Sequence, residues 1–210
     1  LINPMNREQS VLRRSIIPGL LRSVAYNQSH GVANVHLYEI GTVFFASEGR
    51  KQPKERQVIA AVLAGSWSEA AWNQPQVELD FFDGKGLLEN LIRELCIQKA
   101  RFKVLSPEQA PWLQPGRAAE LVVGSKHLGW LGEVHPLACE AFGAAAPVVA
   151  FELDLKSVIS VAEAARLFKD VPQYPAVDID LALVVDEQVT AERVEQVLRS
   201  AAGALLDELR

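Results

Sequence analysis

The sequence predicts an α+β domain in which helices pack on an antiparallel sheet. Strand-like runs follow one another across short polar turns, and amphipathic helical stretches lie before and between these pairs. No strand–helix–strand repeat of the kind that builds parallel sheets recurs along the chain. The 210 residues are 49% hydrophobic and 22% charged, which is an ordinary globular composition.

Charge and hydropathy exclude several protein classes. The chain holds 21 Lys and Arg against 26 Asp and Glu, so its net charge of −5 argues against a general basic nucleic-acid binder. No run approaches the ~18 apolar residues of a membrane span, and the start lacks the features of a signal peptide. We therefore expect a cytoplasmic protein with no membrane partner and with reduced cysteines at Cys96 and Cys139. Because the first residue is not Met, we expect a piece of a longer chain.

The first predicted elements are a helix and a hairpin. Pro18 suits the first turn of a helix, and Gly31 is a plausible stop. Residues 35–45 and 56–64 are rich in β-branched and apolar residues and predict two strands, joined by the polar loop 47–55. The helix is predicted from one apolar stripe: Ile17, Leu20, Leu21 and Val24.

The next stretch predicts a second amphipathic helix at residues 80–95, followed mainly by strands. Its apolar face carries Leu87, Leu88, Leu91, Ile92 and Leu95. The later predictions, in order, are strand 102–105, loop 107–116, strands 119–123 and 128–134 around the turn 124–127, helix 136–142, strand 148–153 and helix 156–167.

Two prolines, Pro172 and Pro175, mark residues 169–175 as a linker between a first domain, 1–168, and a partial second domain, 176–210. The second part predicts a strand at 178–185 and a helix capped by Thr190. One strand and one helix cannot close a core, so we expect this domain to be truncated or completed by another chain.

Two groups of residues are candidate ligand sites. His127, His135, Cys96 and Cys139 fit no metal-binding spacing, so we predict no metal site. Residues 83–86, Asp-Gly-Lys-Gly, indicate either a phosphate held on backbone N–H groups or the plain start of a helix.

Five segments form an ordered series along the chain: residues 3–21, 37–44 (LYEIGTVF), 115–120 (PGRAAE), 131–136 (LGEVHP) and 174–185. In this order they resemble the C-terminal part of the bacterial phenylalanyl-tRNA synthetase β subunit. The resemblance implies that residues 1–168 are a class II synthetase-like module and that 176–210 begin a ferredoxin-like anticodon-binding domain. It also implies an α subunit as partner in an α2β2 heterotetramer, and contact with tRNA-Phe through the full-length chain. ATP and Mg²⁺ would be bound by the α subunit, with no cofactor in this piece.

Active class II enzymes place arginines where charge develops on the ATP phosphates. The matching positions here, residues 37–39 and 151–156, carry none. We therefore predict no catalytic residues and an inactive piece of phenylalanine–tRNA ligase, a structural module that supports the α subunit and tRNA binding. The alternative is a free-standing ligase-like domain that binds ATP or an amino acid in a vestigial pocket.

Two sets of charged residues are candidates for a functional role. Arg13 and Arg117 lie inside the matching motifs, and Glu39 and Glu120 are candidate carboxylate partners. They form either structural ion pairs or contacts to the α subunit. The loop cations Arg50, Lys51 and Lys54 are either tRNA contacts or solvated side chains.

Overall fold

A computed structural model describes residues 3–4, 10–47, 49, 52–69, 71–163 and 175–209. The chain divides into two units, Leu1–Leu167 and Phe168–Arg210. Residues 169–174 of the predicted linker lie outside the described residues, so the predicted domain limits stay a prediction.

The first unit is built on a six-stranded, fully antiparallel sheet, which confirms the predicted α+β class with flanking helices. The spatial order of the strands is β1-β2-β6-β5-β4-β3, so β5 and β6 are central and β1 and β3 are the edges. The strands are β1 (Val35–Phe45), β2 (Lys54–Ala64), β3 (Ala100–Val104), β4 (Leu113–Val123), β5 (Lys126–Val134) and β6 (Val148–Asp154). The helices are α1 (Ile17–Ser29), α2 (Phe81–Glu94), α3 (Pro136–Phe142) and α4 (Leu155–Ile159).

Helices cover both faces of this sheet. Strand β6 alternates its side chains: Val148 and Ala150 pack with α1 and α3, whereas Val149 and Phe151 pack with α2 and α4. We call these the α1 face and the α2 face. Because both faces of β6 are covered, its sequence is apolar at successive positions rather than at alternate ones.

Helices α1 and α2 begin and end close to where the sequence predicts. In α1 all four residues of the apolar stripe are buried, Pro18 lies in the first turn and Gly31 follows the helix at φ +85°. Helix α2 begins after Asp80, whose carboxylate accepts the backbone N–H of Phe82 at 2.7 Å. Asp83 accepts the Asp80 N–H in return, so residues 83–86 lie within the first two turns of a helix, as one of the two interpretations predicts.

Two boundary predictions are wrong for reasons of long-range packing. The predicted loop 107–116 overlaps β4, which begins at Leu113 and passes Pro115 and Gly116 (φ +78°) by an irregularity in its pairing with β5. The predicted helix 156–167 ends at Ile159, because the next residues leave it to pack against the core of the α2 face. Residues 164–167 of that prediction lie outside the described residues.

In the second unit the predicted strand 178–185 is wrong, since residues 175–189 form neither strand nor helix. A strand needs a hydrogen-bonded neighbour, and the pairing partner for this apolar run is not among the described residues. The predicted helix is confirmed as α5 (Ala191–Ala202), with Thr190 as its N-cap, followed by a short 3₁₀ turn (Gly203–Leu205). No helix in the described ranges is long and apolar enough to span a bilayer.

Alanine at Gly84 tests the close packing of α2 on the sheet. Its Cβ would meet Val149 Cγ1 and, at 3.0 Å, Leu131 Cδ1, so we expect a loss of about 1–3 kcal/mol in the free energy of unfolding. Gly86 is the matched control, because no atom lies within 4 Å of its Cβ position. Alanine there raises helix propensity and is expected to add up to ~1 kcal/mol. Urea unfolding of both variants checks this, and equal shifts would contradict the packing argument.

Candidate functional site

A row of mainly polar residues crosses the sheet on the α1 face, one residue from each strand. In spatial order the row is Glu39, Ala60, Glu152, Trp130, Glu120 and Lys103, each opposite the next in the antiparallel register. We call it the polar row. Three of its six members are glutamates, whereas the next row on the same face, which includes Leu37, Val62 and Ala150, is apolar.

Glu152 holds the start of α1. Its Oε2 accepts the Ser15 hydroxyl at 2.7 Å and the backbone N–H of Ile16 at 2.9 Å. Ile16 is the N-cap of α1 and is fully buried. The first N–H groups of a helix have no partner within the helix, so a carboxylate placed there satisfies them and complements the helix dipole.

Arg13 ties the segment before α1 to the edge strand β1. Its guanidinium lies 2.7 Å from Glu39 Oε1 and donates to the Thr42 carbonyl at 3.0 Å. The backbone N–H of Phe44 donates to the Arg13 carbonyl at 2.8 Å. Gly41 provides the space, since a Cβ at this position would meet the Arg13 guanidinium. The structure thus brings together Arg13 and Glu39, two of the residues selected from the sequence.

The other two candidate residues, Arg117 and Glu120, each contact a different side chain. Glu120 Oε1 lies 2.5 Å from His127 Nδ1, and Arg117 lies 2.6 Å from Glu133 Oε1. Arg117 and Glu120 are three residues apart on one strand, so their side chains point to opposite faces of the sheet and do not meet. Of the two candidate carboxylates, Glu39 pairs with Arg13, whereas Arg117 pairs with Glu133.

Glu133 does on the α2 face what Glu152 does on the α1 face. It is only 6% exposed, and its Oε1 accepts the backbone N–H of Phe81, the first residue of α2, at 3.2 Å. Arg117, itself mostly exposed, supplies a compensating charge. Two anionic groups, Glu133 and Asp80, therefore already occupy the start of α2, which disfavours the phosphate interpretation of residues 83–86.

The remaining candidate residues lie apart. Arg50 and Lys51 are outside the described residues, and Lys54 is exposed at the first position of β2. His135 caps α3 by accepting the Leu137 N–H at 3.2 Å, whereas His127 contacts Glu120. Across the described ranges no three His, Cys, Asp or Glu residues gather in a way that could hold a metal ion.

Sequence reasoning missed Ser15, Glu133 and Glu152, although a signal was present. Both glutamates interrupt apolar strand runs, and a charged residue inside such a run needs an internal partner. Glu152 is 136 residues from its partner Ile16 in the sequence, and Glu133 is 52 residues from its partner Phe81. No local sequence pattern identifies partners at such distances.

An open hollow of about 340 Å³ lies at the end of the sheet, bordered by Gln28, Gly31, Glu78 and Pro147. Gln28 closes one side by accepting the Ala145 N–H at 2.8 Å. Among the described residues that line it, the charged one is the carboxylate Glu78, which does not suit a nucleotide phosphate.

Fold and site together define an α+β domain whose central strands use carboxylates to anchor helices on both faces of one antiparallel sheet. Residues 1–155 match the family model described as the phenylalanyl tRNA synthetase beta chain CLM domain. The chain belongs to this phenylalanyl-tRNA synthetase β chain family, which confirms the resemblance seen in its motifs.

Similar proteins are named as phenylalanine–tRNA ligase β subunits. The chain is 38% identical over 210 residues to the one from Symbiobacterium thermophilum, covering all of this chain and 23% of that protein. It is 36% identical over 207 residues to that of Listeria innocua and 35% identical over 206 to that of Bacillus subtilis, each covering 98% of this chain and 25% of the relative. The chain therefore spans about a quarter of the length of these relatives.

Alanine substitutions at three glutamates distinguish carboxylates that hold a helix start from one that forms only a surface contact. Glu133→Ala and Glu152→Ala each leave backbone donors at a helix start without their partner, so each is expected to cost about 1–3 kcal/mol. Glu120→Ala is the control: it lies in the same row, but its partner His127 is mostly exposed, and the expected change is within ~0.5 kcal/mol. Urea unfolding measures all three, and an equal loss for Glu120→Ala would contradict the assignment.

The two cysteines are expected to differ in reactivity. Cys139 is fully buried on α3, and burial raises the pKa of its thiol, so little thiolate forms near pH 8. Cys96, after α2, is only half-buried. Alkylation under native conditions should therefore modify Cys96 first, and a Cys96→Ser variant should react only after unfolding. Rapid labelling of the folded Cys96→Ser variant would show that α3 does not seal Cys139.

Proposed function

We propose that this chain is a non-catalytic structural module of a phenylalanine–tRNA ligase β subunit, which supports the catalytic α subunit and tRNA binding during aminoacylation of tRNA-Phe. The observation that carries this is the polar row: its carboxylates at Glu39 and Glu152 are committed to holding the segment before α1 on the sheet. The names of the relatives support the assignment to that enzyme.

Adenylate formation needs cations free to meet the ATP phosphates. On the α1 face, Arg13 is already held by Glu39 and the Thr42 carbonyl, and Glu152 adds negative charge at the centre. A face arranged in this way favours a support role over catalysis. ATP and Mg²⁺ would then be bound by the α subunit.

The same proposal includes the finer fold assignment. The first unit, with its long β1–β2 hairpin beside β6, would be a class II synthetase-like module. The second unit would be the start of a ferredoxin-like anticodon-binding domain, and the assembly would be a cytoplasmic α2β2 heterotetramer. The family membership of residues 1–155 supports the first of these assignments.

Phenylalanine-dependent ATP–pyrophosphate exchange tests whether this chain is catalytic. We expect no exchange from the chain alone once circular dichroism shows it to be folded. The residues paired with Glu152 across the sheet are Ala60 and Trp130, neither of them a cation, and Arg13 is held by Glu39 and the Thr42 carbonyl. An intact α–β enzyme is the positive control. Exchange above background would contradict the non-catalytic assignment.

Two companion measurements complete this experiment. A nucleotide binder at 100-fold excess over its Kd would gain about 2.7 kcal/mol, so an ATP-dependent rise in melting temperature would favour the ligand-binding alternative. Co-purification with the α subunit tests the support role directly. A folded full-length β chain that fails to retain α would argue against it.

A further inference from the structure

Two guanidinium groups lie over one aromatic ring at the end of the β1–β2 hairpin. Arg56 Cζ is 4.7 Å from the centroid of the Phe45 ring, and Arg14 Cζ is 5.6 Å from it. The three residues come from different elements: Arg14 from the segment before α1, Phe45 from the end of β1 and Arg56 from β2. Contact with the ring fixes two side chains that are otherwise long and mobile.

The strand register adds a third cation to the same face. Phe45 lies opposite Lys54 and Val43 opposite Arg56, so Lys54 and Arg56 share the α1 face with the ring. The acidic residue between them, Glu55, points to the other face by the same alternation. We call Arg14, Lys54 and Arg56 the basic patch.

The basic patch has uncompensated charge. All three residues are exposed, and within the described part of the chain none of them forms an ion pair. Arg13, next to Arg14, is neutralised by Glu39. In a chain of net charge −5, three free cations on one face form a local attraction for an anion.

We propose that the basic patch binds the phosphate backbone of an RNA, and, resting on the proposed function, that this RNA is the tRNA of the ligase. A guanidinium presents a planar fork of donors that matches phosphate oxygens, and two such groups held by one ring are ordered before binding. Both guanidiniums cover the one aromatic ring of the patch, so the patch offers charge rather than an apolar anchor, which suits a sugar–phosphate chain better than a protein surface.

The test uses the full-length β chain assembled with its α subunit, and the salt dependence of its Kd for tRNA-Phe. The double variant Arg14→Gln/Arg56→Gln removes two phosphate contacts and is expected to lower the slope of log affinity against log salt by about 2. The matched control is Arg22→Gln, because Arg22 Cζ also lies 5.6 Å over a ring, that of Phe142, but this contact joins α1 to α3 and includes no residue of the hairpin. The control slope should equal that of the unmodified enzyme.

Further readouts keep the result interpretable. Equal melting temperatures exclude misfolding, and Arg14→Lys/Arg56→Lys should retain the original slope because the charges remain. An unchanged slope in the Gln variant overturns the proposal while leaving the proposed function intact. Loss of α-subunit binding with an unchanged tRNA slope also overturns it and makes the patch a protein interface. If the unmodified complex binds no tRNA-Phe, the proposed function itself fails.

Discussion

The hydrogen bonds from helix starts to carboxylates on the two central strands are the interaction on which the first unit depends. Glu152 on β6 accepts the Ile16 N–H on one face, and Glu133 on β5 accepts the Phe81 N–H on the other. A buried carboxylate is costly unless it is hydrogen-bonded, and the free N–H groups of a helix start are equally in need of acceptors. The carboxylate and the N–H groups satisfy one another, so each hydrogen bond fixes the start of its helix at one position along the strand.

The bond from Ile16 to Glu152 also helps to hold the segment before α1 on the sheet. Ile16 is held on Glu152, and Arg13, three residues earlier, is held on Glu39 and on the backbone of β1. The segment before α1 is therefore attached at two points, to a central strand and to an edge strand. This attachment covers part of the exposed edge of β1, which would otherwise present unpaired backbone groups.

The sequence predicts what is local and misses what depends on distant partners. The stripe of α1, the Asp80 start of α2 and the β1–β2 hairpin are correct because spacing and capping residues act over a few positions. The bulged start of β4, the short α4 and the Arg117–Glu133 pair depend on which strand lies alongside, so the local pattern misplaced them. Residues 178–185 have the apolar composition of a strand but do not form one. A strand requires a hydrogen-bonded neighbour, and none for this segment is among the described residues.

The adjacent residues Arg13 and Arg14 link the attachment of the segment before α1 to the proposed phosphate contact. Arg13 is committed to Glu39 and Thr42, and this fixes the backbone of the segment that carries Arg14 over Phe45. Because the backbone is fixed and the guanidinium rests on a ring, little conformational freedom remains for Arg14 to lose when a phosphate binds. The carboxylate of Glu39, by holding Arg13, thus also orders the cation of the next residue, Arg14. The proposed support role and the proposed RNA contact therefore rest on the same attachment of the segment before α1 to the sheet.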